Sequence, residues 1–199
     1  MLELLESADR NLTIFINQGF NSWLDTLMIF WSGKLVWLPL YAALMIFLFG
    51  RFGSKYFLRI LLLIGILILL SDQTASALFK PLFQRLRPCH DPDLLPVLHL
   101  PEGCGGQFGF ASSHAANTMA LAVFFFLLPV FARSGWIALI LLVWAILTGW
   151  SRIYLGAHFA GDIIAGYAIG AFWAAILHFA ARKISWFGLD GKNLIQTGK

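Results

Sequence analysis

Charged side chains are scarce in this sequence. Asp, Glu, Lys and Arg make up 12% of its 199 residues, whereas soluble globular domains carry about 25%. Apolar residues make up 59%, the mean hydropathy is +0.78, and several apolar runs approach or exceed the length that spans a membrane. This composition excludes a soluble core with a linker and predicts one polytopic membrane domain over residues 1–199.

The first 19 residues lack the basic start of a cleavable signal peptide. They carry Glu3, Glu6 and Asp9 instead, so we expect no such signal. Their apolar residues recur with helical spacing on one face, which predicts an amphipathic helix lying in the membrane interface. That face comprises Leu4, Leu5, Ala8, Leu12, Phe15 and Ile16.

The apolar segments predict an all-α bundle. Residues 57–80 would extend about 36 Å as one helix, at 1.5 Å per residue, which is enough to cross the hydrocarbon. Residues 23–32 are apolar but short, and they either join residues 35–50 as one long bent span or form a short separate helix. The prediction is therefore five to six transmembrane helices. The five spans expected in either case are 35–50, 57–80, 112–132, 135–150 and 159–181.

Basic residues are divided unequally between the two predicted sides of the bundle. The loops 80–111 and 151–158 share one side, and the opposite side carries eight basic residues against Asp190 alone. By the positive-inside rule, that opposite side is cytoplasmic and the two loops face outward. This topology explains the net charge of +4, which does not indicate a nucleic-acid partner. The eight residues are Arg51, Lys55, Arg59, Arg133, Arg182, Lys183, Lys192 and Lys199.

Four cations lie on the outer side against this rule and need another explanation. They are Lys80, Arg85, Arg87 and Arg152. Lys80, Arg87 and Arg152 match the charge and oxygen count of a phosphate, which Arg can bind bidentately. Ser112 can cap the helix that follows it, and the free N–H groups at that helix start form an anion site.

Two histidines complete a set suited to phosphoryl transfer. His158 and Asp162 are i and i+4 on a predicted helix, so they share a face. A carboxylate bonded to one ring nitrogen fixes the tautomer and leaves the other nitrogen free to attack phosphorus. His114 is then the remaining titratable group nearby, suited to protonate the leaving oxygen.

This set resembles the type 2 phosphatidic acid phosphatase family, which shares its site with vanadium haloperoxidases. The resemblance covers residues 72–165 in motif order and spacing, and all three motifs fall on one predicted face. The first and third motifs match in full, as Lys80, six residues, Arg87-Pro88, and as Ser151-Arg152, five residues, His158, three residues, Asp162.

The middle motif departs from the family pattern. The family usually has Pro-Ser-Gly-His, and this chain has Ala111-Ser112-Ser113-His114. Ser113 keeps the backbone N–H of the glycine but narrows the allowed backbone angles. The departure affects the fine geometry of the anion site and leaves the roles of Ser112 and His114 as the family implies them.

The resemblance implies a membrane lipid phosphatase with a phosphohistidine intermediate and without a cofactor or metal. His158 would attack phosphorus, and His114 would protonate the departing lipid oxygen and then activate water. The candidate substrates are undecaprenyl diphosphate, phosphatidylglycerophosphate, phosphatidic acid and lipid A 1-phosphate, hydrolysed outside a bacterial cytoplasmic membrane. The equatorial phosphate oxygens would be held by Lys80, Arg87, Arg152 and the amides near Ser112 and Ser113.

Other interpretations stay open on the sequence alone. The phosphohistidine could pass its phosphate to a second lipid, which would make the protein a phosphotransferase, or the protein could be a non-catalytic lipid binder. The cations could be interfacial anchors, and His114, His158 and Asp162 could bind zinc, although nearby cations would oppose a metal.

Further polar residues carry no single interpretation. Asp72, two helical turns before Lys80, could set the position of the lysine, line the cavity, or form a structural polar pair. Arg85 could support phosphate binding or face headgroups. His90, His99 and His178 fit no partner pattern and are expected at the surface or interface.

Two cysteines, Cys89 and Cys104, lie in the predicted outer loop. An oxidising outer compartment permits a disulfide between them. Such a bridge would join the arm that holds Arg87 to the arm that leads to His114. Two unpaired cysteines buried by packing are the alternative.

Overall fold

The computed structural model describes residues 1–128 and 135–184, where the chain is helical and has no strand beyond an isolated bridge between Leu86 and Phe108. Within that part, three helices are long and apolar enough to cross a membrane, and a shorter apolar helix accompanies them. The predicted all-α membrane bundle is confirmed. Its helices are α1 (Leu2–Gln18), α2 (Ser22–Ser32), α3 (Leu38–Gln73), α4 (Lys80–Phe83), α5 (Ser113–Leu127), α6 (Gly135–Tyr154) and α7 (Ala160–Lys183).

Helix α3 reverses direction at Gly53. The backbone there leaves the helical region, with φ 68° and ψ 171°, a conformation that glycine adopts readily. Lys34 and Asp72 line the same cavity, although a straight helix would place them about 57 Å apart. We infer that α3 supplies the two antiparallel spans predicted as 35–50 and 57–80, which brings the number of apolar segments to five.

Helix α2 settles the open question at the N-terminal end of the bundle. It begins after Asn21, whose side chain accepts a hydrogen bond from the N–H of Leu24 at 2.9 Å, and it ends at Ser32. A separate 3-10 turn, Leu35–Trp37, precedes α3. Residues 23–32 therefore belong to a short separate helix and not to one long bent span.

Helix α1 turns most of its apolar face outward. Leu4, Leu5 and Phe15 are 75%, 63% and 77% exposed, as expected for a helix in the membrane interface. Ile16 was expected on the same face but is buried, because it packs against the core cluster that includes Ile153. Two polar residues of α1, Thr13 and Asn17, are buried in the bundle.

The chain between α3 and the outer loop changes its helical geometry. A π-helical turn, Thr74–Phe79, links α3 to α4, and such turns are frequent at functional sites. The hydroxyl of Thr74 accepts a hydrogen bond from Trp173 Nε1 at 2.9 Å, which ties this turn to α7. The predicted helical segment 57–80 therefore continues to Phe83.

Helices α5 and α7 approach each other closely. A Cβ atom added at Gly166 would collide with the carbonyl oxygen of Ser112, and one at Gly170 would collide with that of Ala116. Small residues at helix interfaces permit this approach of two backbones. The contact places the first turn of α7 beside the start of α5, where the Ser112 N–H donates to the Asp162 carbonyl at 3.0 Å.

Part of the charge argument for topology lies outside the described residues. Arg133, Asp190, Lys192, Lys199 and the end of segment 112–132 belong to that part. In the described part, Arg51 lies beside the reversal of α3, and Arg182 and Lys183 end α7. These cations lie at the end of the bundle remote from the two loops, as predicted.

Candidate active site

Asp162 lies in the first turn of α7, but His158 lies in the turn between α6 and α7, so the predicted placement of both residues on one helix is wrong. The His158 Nδ1 atom is 3.3 Å from Asp162 Oδ2, and both side chains are buried. The same carboxylate oxygen accepts the Phe159 N–H at 3.1 Å. Because Nδ1 faces the carboxylate, Nε2 is the ring nitrogen left to react.

Arg85 is bound to two carboxylates. One terminal nitrogen donates to Asp162 Oδ1 at 2.9 Å, and the other donates to Asp9 Oδ2 at 2.7 Å. This geometry places the Arg85 guanidinium against the carboxylate that contacts His158. The two roles left open from the sequence, support of phosphate binding and contact with headgroups, stay predictions.

The three predicted phosphate-binding cations cluster around the His158–Asp162 pair. Arg87 donates to the carbonyl of Ala157, the residue before His158, at 3.3 Å. It interacts electrostatically with Arg152 and Asp162, and Lys80 interacts with Arg87 and Asp162. Like charges held this close in a protein favour an anion among them.

The start of α5 faces the same point. The Ser112 hydroxyl caps the helix by accepting from the Ala115 N–H at 3.5 Å. Ser113 and His114 follow, and His114 interacts electrostatically with Arg152 and His158. The positive end of the helix dipole therefore adds to the field of the cations.

The loop between α4 and α5, whose structure could not be predicted from sequence patterns, has two paired arms. The Arg87 N–H donates to the Gln107 carbonyl at 3.0 Å, and the Gly109 N–H donates to the Arg85 carbonyl at 2.9 Å. Cys89 and Cys104 form a disulfide with their Cα atoms 5.7 Å apart. These links hold Arg87 against the arm that leads to α5.

The same cysteines belong to a group with metal-ligand chemistry. Ligand atoms of Cys89, His90 and Cys104 lie within 4.8 Å of one another. The disulfide consumes both sulfur atoms, and a metal requires thiolates. This group is therefore a structural link in the oxidised protein.

The environment of the site favours a neutral His158. Burial lowers the pKa of His158 to about 4. The hydrogen bond with Asp162 opposes this shift, and the charges of Arg87 and Arg152 reinforce it. Burial also lowers the pKa of Arg87, with the charge of Arg152 acting in the same direction. At neutral pH the imidazole is therefore unprotonated, as a nucleophile must be.

Residues 57–186 match the model of the PAP2 superfamily, a range that contains all three motifs. The chain belongs to this superfamily. The resemblance predicted from Lys80 to Asp162 is confirmed at the family level.

PAP2 relatives match most of the chain. A lipid A 4'-phosphatase of Bacteroides thetaiotaomicron is 34% identical over 187 residues, which are 93% of this chain and 82% of that protein. A lipid A 4'-phosphatase of Porphyromonas gingivalis is 34% identical over 173 residues, or 85% and 71%. The crystal structure of a PAP2 type phosphatidylglycerolphosphate phosphatase from Bacillus subtilis has a TM-score of 0.66 at 25% identity, covering 91% of this chain and 88% of that one.

These PAP2 relationships confirm the predicted enzyme class. The chain is an integral membrane lipid phosphatase, and the phosphohistidine mechanism is general to its family. The role of each residue, the lipid substrate and the orientation in the membrane stay predictions.

A mostly apolar cavity of about 460 Å³ adjoins the site. Lys34, Asp72, Ser113 and His114 line it together with apolar residues of α3, α5 and α6. Asp72 accepts a hydrogen bond from the Asn117 amide at 3.0 Å and interacts electrostatically with Lys80. Asp72 thus lines the cavity and is also part of a polar pair, two of the alternatives left open from the sequence.

Three charged residues near the site were not predicted from the sequence. Asp9 belongs to a polar stripe at i, i+4 and i+8 on α1, a signal that could have identified it. Lys34 directly precedes the 3-10 turn Leu35–Trp37. From the sequence alone, a lysine at the end of an apolar span resembles an interfacial anchor. Glu102 accepts from Arg152 at 3.4 Å and from the Ser32 hydroxyl at 3.2 Å, and no local pattern marks it.

Two of the three remaining histidines differ from expectation. His99 has a partner after all, because Asn17 binds its backbone and brings its Nε2 atom to 2.9 Å from Asp25 Oδ2. His178 is buried, because α7 packs within the bundle. His90 is exposed as expected, with its Nε2 atom 2.9 Å from the Gly105 carbonyl oxygen.

Proposed function

We propose that this protein hydrolyses a phosphate ester of a lipid of the lipid A type. The observation that carries the chemistry is the buried His158–Asp162 pair, surrounded by Lys80, Arg87 and Arg152 beside a mostly apolar cavity. A nucleophile, cations for phosphate and space for apolar chains are what lipid phosphate hydrolysis requires.

The reaction proceeds in two displacements. His158 Nε2 attacks phosphorus, an N–P bond forms, and the bond from phosphorus to the lipid oxygen breaks. His114 gives its proton to that oxygen, so the lipid leaves as an alcohol. His114 then takes a proton from water, the water oxygen attacks phosphorus, and the N–P bond breaks to release inorganic phosphate.

The cations and the helix start stabilise the charge of both transition states. Lys80, Arg87 and Arg152 bind the equatorial oxygens, and the amides of Ser113 and His114 add the positive end of the α5 dipole. Electrostatic stabilisation of this kind removes about 3–4 kcal/mol of barrier for each well-placed donor. Asp162 keeps the reactive tautomer of His158 in place.

The choice of lipid rests on the relatives. Two proteins named lipid A 4'-phosphatase are 34% identical to this chain and align with most of it. The sequence had suggested lipid A 1-phosphate among four candidates, and these relatives make the 4'-phosphate the first one to test. The cavity beside His114 would accept part of the acyl region.

The site faces the periplasm of a bacterial cytoplasmic membrane in this proposal. In the described part, the end of the bundle opposite the active site carries five basic residues and no Asp or Glu, and the positive-inside rule assigns such an end to the cytoplasm. The Cys89–Cys104 disulfide lies at the end with the active site, and disulfides persist outside the cytoplasm.

Release of inorganic phosphate from a panel of lipids in detergent tests the proposal. The panel contains lipid A, undecaprenyl diphosphate, phosphatidylglycerophosphate and phosphatidic acid, each with and without EDTA. We expect the highest kcat/KM for lipid A, loss of the 4'-phosphate by mass spectrometry, and no turnover by His158→Ala. Preference for another lipid would overturn the substrate assignment. Phosphate transfer to an added lipid without release of free phosphate would identify a phosphotransferase.

A further inference from the structure

Helix α7, which carries Asp162, begins without a side-chain acceptor at its N-cap residue. α7 starts at Ala160, and the preceding residue, Phe159, has no side-chain acceptor for the free N–H groups of the first turn. A helix start usually relies on such an acceptor. Since His158 precedes this turn and Asp162 lies in it, whatever caps α7 also fixes the catalytic pair.

The cap is supplied by α1. Thr13 Oγ1 accepts the Ala160 N–H at 3.2 Å, and Asp9 Oδ1 accepts the Gly161 N–H at 2.7 Å. Thr13 is fully buried, and its hydroxyl hydrogen is given to the Asp9 carbonyl at 2.8 Å. Asp9 and Thr13 are one helical turn apart, so a single face of α1 supplies both acceptors.

Gly161 leaves room for this contact. A Cβ atom at residue 161 would lie 2.8 Å from Asp9 Oδ2 and 3.5 Å from the nearest nitrogen of Arg85. Any side chain there would push the Asp9 carboxylate away from α7. Gly161, which lies within the third motif, therefore leaves the space that the Asp9 carboxylate of α1 occupies.

Arg85 extends the link from the cap to the nucleophile. Its guanidinium joins Asp9 Oδ2 to Asp162 Oδ1 and lies 4.2 Å from the centroid of the Phe159 ring. Asp162 uses its other oxygen for His158 and the Phe159 N–H. A continuous chain of contacts thus runs from Asp9 through Arg85 and Asp162 to His158.

We propose that Asp9 and Arg85 are positioning residues for the phosphatase reaction, so that His158 is held in its attacking geometry by α1. The inference rests on the proposed function. Arg85 does not bind the phosphate in this scheme, because each of its terminal nitrogens is engaged by a carboxylate. The opposite face of α1 exposes Leu4, Leu5, Leu12 and Phe15, so one helix contacts both lipid and the catalytic turn.

A graded set of variants separates positioning from phosphate binding. Thr13→Val removes one cap acceptor, Asp9→Asn weakens the ion pair, and Arg85→Ala breaks the link to Asp162. We expect kcat to fall in that order, to about 100-fold for Arg85→Ala, because a misplaced reactive group costs this much. KM and the inhibition constant of inorganic phosphate should stay within about 2-fold, since the cations remain. Glu6→Gln changes an exposed acid of the same helix and should match the wild type.

The acidic limb of the pH–rate profile gives a second readout. Asp9→Asn leaves the Arg85 charge uncompensated beside Asp162, which weakens the support of Asp162 for a protonated His158. The limb assigned to His158 should therefore move to lower pH, and Arg85→Lys should restore part of the kcat lost in Arg85→Ala. If the Asp9–Arg85 salt bridge were merely structural, its loss would change the melting temperature and leave the acidic limb at the same pH.

The outcomes distinguish failure of this inference from failure of the proposed function. If the wild type releases no phosphate from any lipid, the function is wrong. If the wild type is active and Asp9→Asn and Arg85→Ala retain its kcat, positioning by α1 is wrong. A parallel rise in the inhibition constant of phosphate would also overturn it, because Arg85 would then belong to the phosphate site.

Discussion

The low pKa of His158 determines how the rate should depend on pH. Neutral imidazole is the attacking form, and burial lowers the pKa of His158 to about 4. The nucleophile therefore stays active as the pH falls through 6.5, its ordinary value, and is lost only near pH 4. The phosphate substrate adds its own limb near about pH 6, which titration of the substrate alone identifies. A His158 limb near 6.5 in kcat/KM would contradict this environment.

His114 should show the behaviour of a general acid. In His114→Ala, the phosphoenzyme should still form readily from an aryl phosphate with a good leaving group, which needs little proton donation. Its formation from a lipid should slow by about 10²–10⁴-fold. Rapid quenching of both reactions measures the two rates. Equal losses for the two substrates would remove His114 from this role.

Sequence reasoning identified the residues whose partners are near in the chain and missed those whose partners are distant. His158 and Asp162 are only four residues apart, so their pairing was predicted correctly although His158 lies in the turn before α7 and not on the helix. Asp9 meets Arg85 across 76 residues and Gly161 across 152, and no local pattern encodes such contacts. The role of Arg85 was left open for the same reason, because its partners Asp162 and Asp9 are distant in the chain.

At the scale of helices, hydropathy predicted the bundle because the backbone polar groups of every span in lipid must be hydrogen-bonded within the protein, which favours apolar helices. The five apolar segments and the amphipathic α1 followed from that rule. The loop between α4 and α5 did not, because its pairing depends on Arg87, Gly109 and a disulfide and not on periodicity. The reversal at Gly53 was implied by the two separate spans 35–50 and 57–80 but could not be located to one residue.

The close contact of α5 and α7 can be tested at Gly170. A Cβ there would collide with the Ala116 carbonyl, and overpacking typically costs about 1–3 kcal/mol. Gly170→Ala should lower the melting temperature in detergent and also slow phosphate release, because α7 carries Asp162. Gly65→Ala is the matched control, since a Cβ there meets nothing within 4 Å. Equal behaviour of the two variants would contradict this packing.

At the scale of the whole molecule, the active site combines segments from both ends of the chain. α1 caps α7, and the start of α5 donates to Asp162. The loop after α4 places Arg87 beside the residue that precedes His158. The apolar spans hold these segments at one end of the bundle. Because the loop after α4 belongs to the site, we expect the disulfide within that loop to affect both stability and turnover.

The Cys89–Cys104 disulfide provides that test. The bridge closes a loop with a sequence separation of 15, which contributes about 3 kcal/mol in the chain-entropy model. In protein purified without reductant, thiol labelling after unfolding should require prior reduction, and the intact mass should be two units below that of the dithiol form. The double variant Cys89→Ser, Cys104→Ser should melt at a lower temperature and show a higher KM, because Arg87 loses its tether. Free labelling of both cysteines before reduction would refute the disulfide, and it would also weaken the assignment of this loop to the outer side of the membrane.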